Sequence, residues 1–552
     1  MITSNMFKKL PKKKLWIFLF LPLLFVTISL IIRQQHGPYW LGLNSDPDYA
    51  YLFNSLNITQ LKTPGHTDHP GTTVQVLGGI IIQITYLIQY WTNSDTSNIV
   101  ESVLQNPEFY LLTINTILLI LITTCLFLLG VIAFSLCQSI ALSLLLQLTP
   151  FWWTVLSHSI RVSPEPLLFC LSQLFVMLLL FYLYSDVVRL PQFALAIGVV
   201  FGLGVATKFT FLPLGLVILL FPGLPQKGLA IFTAITTFFL ATLPVLSQYP
   251  RIFSWILSIA THTGRHGKGN QGLVDFSTLP NTFVNLTTQD TLFFYVIGIS
   301  ALNFFIITFW FGWYKFKNLD SQNLPNIFAN NKFYHLFACL LLIILAQLLI
   351  TLKHPATYYL LPSMGLCSLL ILLQVVLFEQ LLTPIFKPII LRWIGLFAFG
   401  LYIFATTTNA YNQTLLMQKT YKSYMGEVQT INHLIQQKYS NCTHAIYYRS
   451  ANKEYALKFG NDFAASQYSQ NLQSVYPNGI FYNPWSRKYE SFNKELDLNT
   501  LLNKKCVIIH GYPLNQDILE YKEYIQFKHN TKMKPIFEGH EQAVYLITGN
   551  HH

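Results

Sequence analysis

The stretch KKLPKKKLWIFLFLPLLFVTISLII, residues 8–32, decides the class of protein. Five lysines come before an apolar run, and the run is close to the roughly 20 residues that a helix needs to cross a bilayer. Similar runs recur up to residue 409, and 52% of the 552 residues are hydrophobic while 11% are charged. Since soluble domains have roughly 25% charged residues, this composition excludes a purely cytosolic enzyme.

The apolar runs predict a polytopic α-helical membrane domain over residues 1–409, followed by a more polar region over residues 410–552. Alternating strand-like segments in the second region predict a small soluble α/β domain. The eleven predicted spans are residues 15–32, 109–133, 137–156, 166–184, 191–206, 209–222, 228–248, 291–314, 333–352, 356–378 and 393–409.

Loop charge predicts the orientation of the chain. Residues 74–91 are also apolar enough to span, and counting them as a span would invert every later loop. If they lie in the membrane surface instead, 12 of the 20 lysines and arginines before residue 410 fall in inner loops. That bias is the one expected of cytoplasmic loops. We therefore expect a cytoplasmic amino terminus, outer loops at 33–108 and 249–290, and a C-terminal domain on the outer side.

The net charge of +12 comes from basic residues scattered between the apolar runs, which favours membrane topology over nucleic-acid binding. Eight cations remain at the predicted outer boundary. An anionic lipid head group would account for them, because lysine and arginine hold phosphate well. Snorkelling of single side chains is the alternative. The eight are Arg33, Lys62, Arg161, Lys208, Arg251, Arg265, Lys268 and Lys353.

The first outer loop contains paired carboxylates. Its segment GLNSDPDYAY, residues 42–51, places Asp46 and Asp48 just past the first span. Such a pair can serve as a general base and a divalent-cation ligand during transfer to a hydroxyl, whereas a Pro-Asp turn that caps a helix is the structural alternative. Farther along, GHTDHPG at 65–71 has metal-ligand residue types without the spacing of a closed zinc site.

Four further predicted outer segments combine charge with proline or glycine. A charged pair between two spans is costly unless it serves a site, which draws attention to Arg161 and Glu165. Lys208 lies where two short apolar runs meet. The segments are HSIRVSPEP at 158–166, GLGVATKFTFLP at 202–213, HTGRHGKGN at 262–270 and KHPATYYLLP at 353–362.

Together these segments resemble the GT-C glycosyltransferases, in the branch of the protein O-mannosyltransferases and the lipid A aminoarabinose transferase. The resemblance covers about residues 15–380 and depends on the order and spacing of its motifs. It implies transfer of a sugar from a polyprenyl-phosphate carrier to a lipid, glycan or protein acceptor at the outer membrane surface. The matching segments are Asp46 to Asp48, Asp68-His69-Pro70, Glu165-Pro166, Gly202 to Lys208 and Lys353 to Pro362.

The resemblance also implies roles for single residues. Asp46, Asp48 and Glu165 are the implied catalytic acids, with Asp46 preferred as the base and Asp48 kept as the alternative. Metal dependence stays open: a divalent cation, Mg or Mn, would be held by Asp48 and Glu165, or the carboxylates would act without an ion. The implied ligands of the carrier phosphate or sugar are His69, Arg161, Lys208, Arg265 and Lys353.

No nucleotide cofactor is expected, because the Gly-x-Gly elements lie inside apolar helices. The expected location is a bacterial inner membrane. Two other functions stay open, a transporter or flippase of lipid-linked sugars and a ligase or polymerase of surface polysaccharide. Transporters usually place ionisable residues near the bilayer midplane, whereas every acid before residue 410 falls in a predicted loop.

Only two of the seven cysteines, Cys442 and Cys506, lie in the predicted soluble domain. Disulfides form in oxidising compartments outside the cytosol. If the domain lies outside, we therefore expect these two cysteines to be joined.

Overall fold

The structure, a computed structural model, covers most of the chain. It describes residues 12–41, 45–68, 70–92, 97–184, 190–263, 269–272, 276–317, 331–353, 355–382, 388–447, 450–483, 488–498, 501, 506–511, 513 and 531–549.

The described residues form a helical bundle followed by a small sheet. Nine of the described helices are long and apolar enough to cross a membrane, or ten if a bent pair counts as one span. The chain is therefore an integral, polytopic membrane protein, and the predicted fold class is confirmed. The helices are α1 (Lys12–Gln35), α2 (Ser45–Thr59), α3 (Thr72–Trp91), α4 (Ile99–Gln105), α5 (Pro107–Cys137), α6 (Ile140–Leu146), α7 (Trp153–Ser159), α8 (Pro164–Tyr184), α9 (Leu190–Thr207), α10 (Leu224–Ala241), α11 (Tyr249–Thr261), α12 (Leu279–Gln289), α13 (Thr291–Lys317), α14 (Lys332–Lys353), α15 (Leu361–Leu382), α16 (Pro388–Lys438), α17 (Lys453–Phe463) and α18 (Ser469–Val475).

Two of the predicted spans differ clearly in form from continuous α-helices. Residues 137–156 lie in a broken pair, Ile140–Phe151 and Trp153–Ser159, bent by 64°. Residues 209–222 form a 3-10 helix, Phe209–Leu220, with Pro213 inside it. Proline removes a backbone donor and interrupts the α-helical ladder, so each irregular span lies at or beside a proline. The predicted span 393–409 is the first part of α16, and the predicted domain boundary at 410 falls inside this continuous helix.

Helix α3 has the length and composition of a span, so its placement has to come from its contacts. The backbone N–H of Gly71, just before α3, donates to the carbonyl oxygen of Thr207 at the end of α9 (3.2 Å). At the other end of α3, Gln89 accepts a hydrogen bond from the Tyr110 hydroxyl at the start of α5 (2.9 Å).

The two helix ends that α3 touches lie on the same side of the bundle. Glu108 at the start of α5 accepts a 2.7 Å hydrogen bond from the backbone N–H of Tyr39, just past α1. Asp48, also just past α1, is paired with Arg161 before α8. Lys208, after α9, binds Glu165 at the start of α8. Both ends of α3 therefore lie on one side, and the helix runs along that surface.

The C-terminal domain is a mixed sheet with strand order β4-β3-β2-β1-β5-β7-β6. Strand β1 is parallel to β2 and β5, while the other neighbours are antiparallel. A disulfide joins Cys442, before β1, to Cys506, before β5, which confirms the predicted pairing. The strands are β1 (Thr443–Tyr447), β2 (Phe481–Asn483), β3 (Lys488–Glu490), β4 (Glu495–Leu496), β5 (Val507–Gly511), β6 (Thr531–Glu538) and β7 (Ala543–Gly549).

The C-terminal domain packs directly on α2, the helix that begins at the paired carboxylates. Asn54 and Asn57 of α2 donate to the carbonyl oxygens of Phe463 and Ala464, at 3.2 and 3.3 Å. At Gly460 of α17, an added Cβ would lie 2.6 Å from the Phe53 ring. The close approach of α17 to α2 therefore requires glycine, and it brings the C-terminal domain next to the segment that bears Asp46 and Asp48.

Candidate functional site

Asp48 is held at the centre of the site by a buried ion pair. Its side chain is fully buried, and its Oδ2 lies 2.6 Å from Nε of Arg161. Its Oδ1 accepts a hydrogen bond from the backbone N–H of Val162. Both carboxylate oxygens are thus bonded to the short connection between α7 and α8, as is usual for a buried charge.

Arg161 also holds the backbone next to Asp48. Its Nη2 donates to the carbonyl oxygen of Asp46 at 2.7 Å. The connection that contains Arg161 is itself held by Asn115, which donates to the carbonyl oxygens of Ser159 and Arg161, at 2.8 and 3.3 Å. Arg161 therefore fixes the chain on both sides of Pro47, and the Asp46–Pro47 peptide bond is cis.

The Asp46 carboxylate lies on the open side of this arrangement. It is exposed, and among the described residues it has no hydrogen-bond or ion-pair partner. The surrounding protein still removes much of its hydration, and this desolvation raises the pKa of Asp46, while the nearby Arg161 charge opposes that shift. An exposed carboxylate with a raised pKa has the properties of a general base.

A second buried ion pair lies beside Asp46. Nζ of Lys208 is 2.5 Å from Oε1 of Glu165, and both residues are 4% exposed. The same ammonium lies over two aromatic rings, 4.9 Å from the centroid of Tyr358 and 4.8 Å from that of Tyr359. A cation enclosed in this way is attracted by both the carboxylate and the ring faces.

Tyr358 and Tyr359 were not singled out by the sequence. They lie in the segment KHPATYYLLP, in which only Lys353 was assigned a role. Two adjacent tyrosines directly after a proline-containing loop were the available signal, since such rings can line a polar site at the membrane boundary.

His66 packs against Tyr51, a residue of α2. Their rings meet edge to face with centroids 5.5 Å apart, and His66 also contacts Phe463 of the C-terminal domain, at 5.2 Å. Burial lowers the pKa of His66 to about 4, so the imidazole is neutral at pH 7 and does not add a cation to the site.

Some predicted residues have other partners or lie outside the described part of the chain. Nζ of Lys353 donates to the carbonyl oxygen of Ala260, at the end of α11, at 2.8 Å. Asp68 pairs with Arg251 at 3.4 Å, and this pair is largely exposed. His69 and Arg265 lie outside the described residues.

The predicted ligands of the divalent cation, Asp48 and Glu165, are bonded to protein donors. Both oxygens of Asp48 accept hydrogen bonds from protein donors, and Glu165 is bound to Lys208. The described residues include no cluster of three or more histidine, cysteine, aspartate or glutamate side chains that could bind a metal ion. The cations Arg161 and Lys208 thus lie directly beside the two acids.

One solved structure similar to this chain is the crystal structure of ArnT from Cupriavidus metallidurans bound to undecaprenyl phosphate. The match has a TM-score of 0.46 and 10% sequence identity, and it covers 95% of this chain and 97% of that chain. No family model matches the sequence, and no curated protein matches it. Identity at this level says nothing about substrate or reaction, which have to be argued from the residues of the site.

Proposed function

We propose that this protein is a glycosyltransferase that moves a sugar from a polyprenyl-phosphate carrier to an acceptor hydroxyl at the outer membrane surface. One observation is the main support for this proposal. Asp46 is an exposed carboxylate without a protein partner among the described residues, and it lies beside two buried pairs of a carboxylate and a cation. A base next to the positive charges of Arg161 and Lys208 suits a reaction that deprotonates a hydroxyl and releases a phosphate.

In the proposed reaction, Asp46 accepts the proton of the acceptor hydroxyl. The acceptor oxygen then forms a bond to the anomeric carbon of the sugar, and the bond between that carbon and the phosphate oxygen breaks. The bonding electrons leave with polyprenyl phosphate. General-base catalysis of this kind contributes about 10²- to 10⁴-fold to a rate.

Lys208 is the proposed ligand of the departing phosphate. One N–H of its ammonium group is directed to Glu165, and an ammonium has two further donors for phosphate oxygens. In a site of low polarity such donors stabilise the charge that develops on the leaving group. Arg161 has a different role in this proposal from the one implied by the sequence: it positions Asp46 and Asp48 rather than binding the carrier.

The position of the site supports a lipid-linked donor. Glu165 and Lys208 lie at the ends of apolar helices on one side of the bundle, and Asp48, at the start of α2, is paired with Arg161 on the same side. A polyprenyl tail can lie among the spans while its phosphate reaches this boundary, as expected of an amphipathic substrate. We propose the outer face of a bacterial inner membrane as the location, and a lipid, glycan or protein as the acceptor.

Sugar transfer in proteoliposomes tests the proposal. The wild type is given a panel of radiolabelled polyprenyl-phosphate sugars together with a membrane extract as acceptor, and a Lys208→Met variant serves as the comparison. We expect labelled product from at least one donor with the wild type and a large loss with the variant. Movement of intact donor across the membrane without transfer would contradict the proposal and support a flippase.

Chelation tests whether the cations act in place of a metal ion. Since Arg161 and Lys208 occupy the positions next to the buried acids, we expect transfer to continue at the wild-type rate in EDTA, without stimulation by added Mg²⁺ or Mn²⁺. The rates are compared before and after dialysis against chelator. Loss of transfer that is restored by one of these ions would contradict this part of the proposal.

A further inference from the structure

The C-terminal sheet is coupled to the segment that leads to Asp46. We call residues 36–41, which follow α1, the lead segment. Tyr421 and Val428 of α16 are two helical turns apart and so share one face of the helix. The lead segment packs along this face. The His36 ring lies on Tyr421 with centroids 3.9 Å apart, and Leu41 shares a buried cluster with Val428.

The neighbouring residue on α16, Glu427, binds the turn between β6 and β7. The backbone N–H groups of His540, Glu541 and Gln542 donate to its carboxylate at 2.9, 3.0 and 2.7 Å. An added Cβ at Gly539 would lie 2.5 Å from the carboxyl carbon of Glu427. Three donors on one carboxylate make a strong, charge-assisted attachment of the sheet to α16.

A second route connects the same turn to the lead segment. Oε1 of Gln542 accepts a 3.0 Å hydrogen bond from the backbone N–H of Ala451 and lies 3.0 Å from Nε2 of His510. Ala451 belongs to the buried cluster that contains Leu41 and Val428. The lead segment is therefore enclosed between α16 and the C-terminal domain, five residues before Asp46.

We propose that Glu427 is a positioning residue for sugar transfer: it fastens the C-terminal sheet against α16 and the lead segment, and thereby fixes the place of Asp46. This inference rests on the proposed function, in which Asp46 has to meet the acceptor hydroxyl. The soluble domain then has a role in the reaction without contributing a group that touches the substrate.

The test uses the full-length protein with two variants that disturb one contact from its two sides, Glu427→Gln and Gly539→Ala. Glu495→Gln is the matched control, because Glu495 forms an exposed pair with Lys488 (2.8 Å) on the far side of the same sheet. Transfer kinetics and hydrogen exchange of the lead segment are measured on each protein. The two variants of the contact also keep the test decisive if one of them fails to fold.

We expect both contact variants to lower kcat on the order of tenfold at unchanged KM for the donor, since small misplacements of a reacting group are costly. We also expect faster exchange in residues 36–41, with β5 and β7 still protected and the control unchanged in both measurements. A kcat that falls together with the protection of the whole sheet would overturn the inference, because Glu427 would then only stabilise the domain.

Unchanged exchange in the lead segment would also overturn the inference. The exchange measurement needs no substrate, so it separates this inference from the proposed function. If the wild type transfers no sugar and the exchange changes as expected, the proposed function fails and the coupling stands.

Discussion

Asp46 and Asp48 are two residues apart in the sequence, and the structure gives them opposite surroundings. Asp48 is fully buried, and its two oxygens are bonded to Arg161 and Val162. Asp46 is exposed, and its carboxylate has no bonded partner among the described residues. Arg161 contacts both, since it pairs with the Asp48 side chain and binds the Asp46 backbone.

Under the proposed function, one short motif supplies both an anchor, Asp48, and a reactive group, Asp46. A buried and paired carboxylate is costly to disturb, because its partner would be left as an unpaired charge. An exposed carboxylate beside such an anchor is held in position and stays available to a substrate. The sequence alone left the base open between the two, and the geometry favours Asp46.

The buried cation beside this motif gives the largest expected effect. Lys208→Met leaves Glu165 buried without its partner, and breaking a buried pair costs about 3–5 kcal/mol of folding free energy. We expect a marked fall in the melting temperature in detergent together with loss of transfer. The double variant Glu165→Gln, Lys208→Met should recover most of the stability without recovering transfer. A double variant as unstable as the single one would show that the two residues do not act as a pair.

Asp48→Asn tests the anchor side of the comparison. The change weakens the bond to Arg161, and hydrogen bonds to charged groups contribute about 1.5–3 kcal/mol each. We expect a lower melting temperature and a reduced rate of transfer, since the backbone of Asp46 loses its support. A variant with wild-type stability would contradict an anchoring role for Asp48.

Asp46→Asn should have the opposite effect on stability. Because burial raises the pKa of Asp46 in the folded protein, the protonated form is favoured there. The protonated form therefore stabilises the folded protein below the unfolded pKa of about 3.9, and this stabilisation is lost as pH rises through the folded pKa. The ionised carboxylate thus lowers stability at pH 7, and we expect the variant to melt higher than the wild type at pH 7, with a smaller difference at pH 4. An unchanged difference across this range would contradict the raised pKa.

The smallest effect is expected at the edge of the site. Asp68 and Arg251 form an ion pair whose side chains are 31% and 59% exposed, and exposed pairs contribute about 0–1 kcal/mol. We expect Asp68→Asn to leave the melting temperature almost unchanged, with a still smaller difference at high salt. If Asp68→Asn lowered the melting temperature as much as Asp48→Asn, the exposed acid would contribute as much to stability as the buried one, which would contradict this expectation.

Much of the fold could be predicted from the sequence, because apolar length and loop charge are local signals. They identified the membrane domain, the soluble α/β domain and the pairing of Cys442 with Cys506, which the structure bears out. The extent of α16 was less visible. The composition of its apolar half predicts a span and that of its polar half predicts a separate element, although no proline interrupts the chain between Pro388 and Lys438.

The partners within the site were the least predictable feature. Lys208 has no acid nearby in sequence, and it binds Glu165, which is 43 residues away. Asp48 and Arg161 are 113 residues apart. Such pairs depend on how the spans pack, and a single sequence gives no direct signal of that packing. For the same reason the sequence did not indicate that Arg161 contacts the Asp48 side chain and the Asp46 backbone.

The measurement that tests the central claim most directly is the rate of sugar transfer by folded Asp46→Asn in proteoliposomes, beside the wild type over a range of pH. If Asp46 is the base, we expect the variant to retain donor binding and to lose about 10²- to 10⁴-fold in kcat. The wild-type rate should rise with pH through the pKa of Asp46, which lies above its usual value. A variant that transfers sugar at the wild-type rate with the same pH dependence would contradict the account.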